Sequence, residues 1–499
     1  MILRKLSDWP HPLQLALAFA LGAASVLAFA PFNLGLLALF TLALLLHQLW
    51  DARSAAQGAR IGYAFGLGLM GFGVFWLRIS IAQFGGVTPA LAVAITLLFI
   101  LLMALYFALF GWLVRRLAAA GGKAIWMLLL APAAWLLIEW LRGWLFTGFP
   151  WLSLGYSQID LPLAGYAPVL GVFGSGALLL FSAGLLNLWR RVWPLVLLLG
   201  MWVGGLGLGW HDWSEPVGEP IEVSLVQGNI PQQDKWKRSL FAPSIALYRH
   251  MSDQVPDSDL VIWPETAISG FESELEAELL QPLHALMRAQ GRDLLTGIVA
   301  GERGGDYFNA MISLGVSGRA SYHKRHLVPF GEYLPLKPLL DPVLHWLHIP
   351  MSDFAVGNGG KPLITLAGHP AGINICYEDA FADEVLRALP EAHFLVNASN
   401  DAWFGDSLAP HQHLQIARMR ALESGRYLLR ATNTGISAII DQRGEIRASA
   451  PQFERATLTE TIQPMQGMTP YARWGNAPLI IAALLLVALL YLRRAHGRG

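Results

Sequence analysis

The stretch GINICYED, residues 372 to 379, holds Cys376, the only cysteine among 499 residues. It is apolar almost throughout up to the thiol, and it has the length of a strand. A strand apolar on both faces belongs to a sheet covered on both sides, which points to an α/β architecture. Two acids follow the thiol at once, Glu378 and Asp379. Nearby negative charge raises a thiol's pKa and blunts its reactivity. The neighbours of the one thiol therefore work against it unless other groups intervene.

The same strand grammar extends outward. Strand-like runs cover 221–229, 259–265, 294–301, 309–315, 393–399 and 426–432, and a hairpin over 436–448 turns at Arg443-Gly444. Helical periodicity appears at 274–290 and 413–425. Residues 211–476 thus read as one domain of alternating strands and helices, of ordinary size and charge. Neither an internal repeat nor a low-complexity tract is evident.

The rest of the chain is different. Hydrophobic residues make up 54% of the whole and charged residues only 14%, against roughly 25% in a soluble domain. Long apolar runs fall near 13–30, 33–50, 61–79, 88–114, 124–141, 163–189, 192–210 and 477–492. With about 20 apolar residues needed per span, these predict seven membrane helices in 1–210, the polar domain, and an eighth helix in 477–499. A cleaved signal peptide over 1–30 is the alternative for the first run, but its apolar core is long for that. Basic residues sit at alternate ends of the runs: Arg4 and Lys5, Arg53 and Arg60, Arg115, Arg116 and Lys123, Arg190 and Arg191, then Arg493, Arg494 and Arg498. The opposite short loops hold little more than Arg78 and Arg142. The basic side is cytoplasmic, so residues 211–476 are expected outside. Lys+Arg and Asp+Glu balance at 35 each, which gives no support for a nucleic-acid partner. One cysteine allows no internal disulfide. Without CxxC or HExxH, neither a metal nor another cofactor is expected.

Three stretches each place a reactive residue near a strand end or loop: Glu265 in VIWPETA, Lys324 in the loop-like, Pro- and Gly-rich SYHKRHLVPFGEYLP, and Cys376. Strand ends facing one crevice are where α/β folds assemble sites. Acyl transfer needs a thiolate nucleophile, a carboxylate base and a cation for the oxyanion. A lysine would also offset the negative field at the cysteine. Glu378 and Asp379 would then either orient that lysine or point away along the pleat. The plainer readings are a buried core cysteine, a helix-start glutamate and a solvated loop lysine. Within the apolar runs, Glu139 beside Trp140 is a candidate functional acid or a structural partner of Arg142; the structural role is the favoured one. Phe72, Phe75 and Trp76 are expected to pack between helices or to face lipid, and Phe149, Pro150 and Trp151 to lie at headgroup depth.

Glu265 in WPE, Lys324 in YHKRHLVPFGEY and Cys376 in ICYED resemble the nitrilase, or carbon–nitrogen hydrolase, superfamily. That resemblance implies an αββα sandwich with a Glu–Lys–Cys triad. With the spans, and with EWLRGWLFTGFPWL (139–152), QGNIPQ (227–232), HLVPFGEYLP (326–335), NDAWFGDSLAPHQH (400–413) and RATNTGIS (430–437), the chain resembles the apolipoprotein N-acyltransferase family of the bacterial inner membrane. The implied reaction moves an acyl chain from a phospholipid, typically phosphatidylethanolamine, onto Cys376 as a thioester. From there it passes to the amine of a diacylglyceryl-cysteine apolipoprotein. Glu265 would be the base and Lys324 the oxyanion partner, in an enzyme expected to be a monomer. The resemblance also implicates Glu332, Tyr377, Glu378 and, near a lipid entrance, Trp236. Glu332 reads equally as a salt-bridge partner and Trp236 as an interfacial anchor. The alternatives are a membrane-tethered amidase or nitrilase, and a transporter or scaffold without enzymatic activity.

Overall fold

The computed structural model describes residues 9–118, 122–333 and 353–496. Arg4, Lys5 and Arg498 of the charge pattern, and the last two residues of HLVPFGEYLP, lie outside them. The chain forms two units. One comprises Met1–Arg78, Thr88–Asp212 and Arg473–Gly499, the other Ile79–Val87 and Trp213–Ala472.

In the helical unit, six helices are long and apolar enough to cross a membrane. They are His11–Ala28, Pro89–Leu117, Lys123–Arg142, Pro162–Leu186, Val192–Gly209 and Ala477–Arg494. The pair Ala55–Gly73 and Leu77–Phe84, bent by 55°, makes a seventh if it counts as one span. The expected eighth corresponds to Gly35–Asp51, an apolar helix of 17 residues. At about 1.5 Å per residue it is about 26 Å long, at the lower limit of the length that spans a bilayer. Six or seven helices thus have the length and composition of a span, and the eighth expected one is this shorter helix.

Close helix packing depends on missing side chains. A Cβ on Gly62 would lie 2.0 Å from the Phe107 carbonyl oxygen, and one on Gly111 would lie 2.1 Å from that of Gly58. Backbones this near require glycine. Glu139 and Arg142 are both buried and hold the turn that follows their helix. The Leu154 amide donates to Glu139 Oε1 at 2.8 Å, while Arg142 donates to the carbonyls of Phe149 and Trp151. These contacts suit the structural reading of the pair. Trp76 is buried against Trp151, whereas Phe72 is exposed on the helical surface.

The second unit is layered. Its strands are β1 (Glu215–Pro216), β2 (Ile221–Gln227), β3 (Leu260–Ile262), β4 (Asp293–Gly301), β5 (Tyr307–Gly315), β6 (Ala320–His323) and β7 (Leu363–Leu366). They continue with β8 (His369–Ile375), β9 (Phe394–Ser399), β10 (Leu428–Thr432), β11 (Ala438–Ile440), β12 (Ile446–Ser449), β13 (Ala456–Ile462) and β14 (Met465–Gln466). One six-stranded sheet has the order β13-β2-β3-β4-β5-β6 and the other β12-β11-β10-β9-β8-β7, while β1 and β14 pair as a short ribbon. Each large sheet has three consecutive parallel strands, β2-β3-β4 and β8-β9-β10, flanked by antiparallel ones.

Period-two alternation builds the layers. Val223, Leu225, Leu260 and Ile262 of one sheet meet Ile373, Ile375, Phe394 and Val396 of the other. The intervening Val226 and Val261 face outward onto helices Arg238–Asp253 and Gln281–Ala289. Leu395 and Leu428 do the same toward helix Leu408–Ser424. The result is the αββα sandwich, with the apolar strands covered on both faces.

Candidate active site

Cys376 is the first residue after β8, where the chain leaves the sheet in a tight turn over Cys376–Ala380. Its φ of 51° lies in the left-handed region that side chains other than glycine rarely adopt. The thiol is buried. Such a sharp turn lifts one side chain off the strand end while the backbone behind it stays fixed. The Asn397 amide donates to the Cys376 carbonyl at 3.0 Å.

Glu265 lies in a turn just past β3, and Lys324 directly follows β6. Lys324 is 1% exposed, with its ammonium 2.9 Å from Glu332 and 3.8 Å from Glu265. Asn309 of β5 donates to both carboxylates, at 2.7 Å to Glu265 and 2.9 Å to Glu332. Glu265 Oε2 is buried without a hydrogen-bond partner among the described residues. A buried carboxylate oxygen left open beside a lysine is placed to accept a proton. Burial pulls the Lys324 ammonium down, but Glu332, Glu265 and Cys376 together outweigh it, so the lysine stays charged. Burial pushes the Cys376 thiol well above its usual value. Glu265 adds to this, Lys324 opposes it, and Asp401 adds again. A resting thiol handed to a base at the moment of attack fits this balance.

The two acids beside the thiol spend their charge elsewhere. Glu378 is fully buried and accepts from the Ile375 amide at 2.7 Å, the Arg325 amide at 2.8 Å, the His326 amide at 3.2 Å and the Tyr322 hydroxyl at 2.9 Å. It therefore ties the nucleophile turn to the segment that carries Lys324. Asp379 turns to His413, 2.8 Å away, and to Arg430 at 3.3 Å. His413 also donates to Asp401 at 3.0 Å, and Arg430 lies 2.8 Å from Asp401. Two acids and two cations thus close a buried cluster behind the nucleophile. The side chains that do press on the thiol, Glu265 and Asp401, come from far away in sequence.

Of the predicted site residues, Glu265, Lys324 and Glu332 form one set joined through Asn309, and Glu265 and Lys324 act electrostatically on Cys376. Glu332 also accepts from the Val328 amide at 2.8 Å, which closes its own loop. Tyr377 packs against His326 and Phe381. Trp236 stands 42% exposed on the loop after β2. Sequence reasoning missed Asn309, Lys235 and the Asp379–His413–Asp401–Arg430 cluster. Lys235 is buried and donates to the Glu265 carbonyl at 2.9 Å. The motif stretches held the signal: Asn400 of NDAW donates to Gln232 at 2.7 Å, and Asn433 of RATNTG pairs with the backbone of Ile230.

Residues 21–185 match the family described as apolipoprotein N-acyltransferase N-terminal domain, and residues 222–471 match carbon-nitrogen hydrolase. A protein of Methylococcus capsulatus named apolipoprotein N-acyltransferase is 47% identical over 489 residues, covering 96% of both chains. One of the same name from Nitrosomonas europaea is 46% identical over 486 residues, covering 95% of this chain and 96% of that protein. One from Vibrio cholerae is 41% identical over 98% of this chain and 99% of that protein. With the helices, the sandwich and the Glu–Lys–Cys set in a single chain, the protein belongs to the apolipoprotein N-acyltransferase family.

Proposed function

We propose that this chain moves an acyl group from a membrane phospholipid, through a thioester on Cys376, to the N-terminal amine of diacylglyceryl-cysteine apolipoproteins. The observation that carries this is the open, buried Oε2 of Glu265 in the set that surrounds Lys324 and acts on the only thiol. In the first half-reaction Glu265 takes the thiol proton as the Cys376 sulfur attacks the ester carbonyl. The oxyanion faces the Lys324 ammonium, which is already charged. Collapse breaks the ester C–O bond, and the leaving lysophospholipid oxygen takes the proton from Glu265. In the second half, the acceptor amine attacks the thioester and gives its proton to Glu265. The C–S bond then breaks, the amide is complete, and the proton returns to sulfur. One acyl bond replaces another, so the chemistry demands no energy donor.

Phosphatidylethanolamine is the donor in this reading, and the working enzyme is a monomer. Residues 1–210 form the membrane part, 211–476 the catalytic domain and 477–499 the last span with its tail. With Gly35–Asp51 counted as a short span beside the other seven, the alternation of basic loops supports a catalytic domain on the periplasmic side of the bacterial inner membrane. A cysteine in place of the exposed Asp306, in a Cys376→Ser background, then reacts with a membrane-impermeant maleimide in spheroplasts. Protection of that thiol until the membrane is opened would place the domain in the cytosol.

The covalent step is tested by intact mass. Incubation with phosphatidylethanolamine adds one acyl chain to the wild type and none to Cys376→Ala. A wild type that turns over without any adduct contradicts the thioester route.

A further inference from the structure

Residues 228–237 leave β2 and cross toward the other sheet before helix Arg238–Asp253 begins. Asn433 and Asn400 pin this loop through Ile230 and Gln232. Pinning drives Lys235 inward. It is 6% exposed, and its ammonium donates to the Glu265 carbonyl at 2.9 Å. On either side the loop returns to the surface: Asp234 pairs with Lys237 at 2.6 Å, and Trp236 is exposed. A lysine normally keeps its ammonium in water, and burial is costly without a counter-charge.

The counter-charge is the site itself. Glu265 and Glu332 carry two negative charges, and Lys324 supplies one positive charge between them. One negative charge is left over next to a sulfur that must itself become negative. We propose that Lys235 is a positioning residue for the acyl transfer. Its ammonium fixes the backbone of Glu265 and cancels the surplus negative charge at rest, so that proton transfer from Cys376 to Glu265 leaves a net positive cluster facing the thiolate. This rests on the reading of Cys376 as the acyl carrier. Burial pulls the Lys235 ammonium down, and Glu265 and then Cys376 pull it partly back, to about 8 in all, so both groups lie within its electrostatic reach. The other charged groups around the site are Lys324 and Glu332, joined to Glu265, Glu378, on which Lys324 acts, and Asp401, which acts on Cys376 and is paired, like Asp379, with His413 and Arg430.

Cys376 is the only thiol, so alkylation by iodoacetamide reports on it alone in the full-length, detergent-solubilised protein. The rate is measured against pH for the wild type, Lys235→Met and Lys235→Arg. Lys235→Met is expected to move the midpoint up by about one pH unit and to slow alkylation near neutrality about tenfold. Lys235→Arg restores the midpoint and removes the break that lysine titration imposes above about pH 8. A lysine that only holds the loop would leave the midpoint of Lys235→Met where the wild type has it, and that result overturns the proposal. If Lys235→Met does not fold, Lys235→Arg decides: an alkaline break identical to the wild type overturns it equally. A wild type that takes no acyl chain from phospholipid defeats the acyltransferase reading. A wild type that acylates beside an unshifted Lys235→Met defeats only the role of Lys235.

Discussion

At the scale of single residues, Glu378 shows how an acid beside a nucleophile avoids harming it. Four donors converge on its carboxylate, three of them backbone amides. Charge held this way is directed away from the sulfur and locks the Cys376 turn to the segment that carries Lys324. Glu378→Gln keeps the shape but weakens those bonds, so Lys324 and Cys376 lose their fixed spacing. Acyl-enzyme formation is expected to slow about 10²-fold, the cost of a misplacement on the order of 1 Å. The KM for phospholipid should hardly move. A stopped-flow or quenched mass measurement checks this, and an unchanged acylation rate would refute the clamp. Glu265, Lys324 and Cys376 could be singled out chiefly through the resemblance of their motifs, because residue type and position alone left the plainer readings open. Asn309 and Lys235 were not legible, because an amide in a strand and a lysine in a loop have no signature until the fold brings them to Glu265.

At the scale of elements, the cluster behind Cys376 joins the nucleophile turn (Asp379), β10 (Arg430), helix Leu408–Ser424 (His413) and the turn after β9 (Asp401). Burial and Arg430 pull the His413 imidazolium down, but Asp379 and Asp401 outweigh them and raise it to about 9. A raised histidine stabilises the fold fully below its unfolded value of about 6.5. That contribution declines as pH climbs and is gone above about 9. Its size is on the order of 3 kcal/mol, which is several degrees of melting temperature for a domain this large. Thermal unfolding from pH 6 to 9.5 should show that loss in the wild type and a flatter profile in His413→Gln. Parallel profiles would mean that His413 is neutral in the folded state.

The elements themselves were unevenly legible. Central strands such as β8 and β9 announced themselves as apolar runs because both faces are buried. Edge strand β13, with most of its residues partly exposed, carries an ordinary polar pattern and was missed. Helix Arg238–Asp253 was hidden by Pro243 inside it.

At the scale of the whole molecule, a chain that is part lipid-soluble bundle and part α/β sandwich was legible from composition alone. The number of spans was less so. Hydropathy does not register the 55° bend after Gly73. Nor does it register that Ile79–Val87, embedded among apolar runs, clusters with the catalytic unit, where Phe84 packs edge-on against Trp403 at 4.6 Å. What unites both parts is a reaction with two lipid substrates and one sulfur that must hold an acyl chain between them. A single-turnover chase tests this most directly. The enzyme is charged with phospholipid, freed of donor, and then mixed with a diacylglyceryl-cysteine peptide. The account predicts that the acyl mass leaves Cys376 and appears in equal amount on the peptide amine. Release of free fatty acid with the peptide unmodified would mark a hydrolase and contradict it.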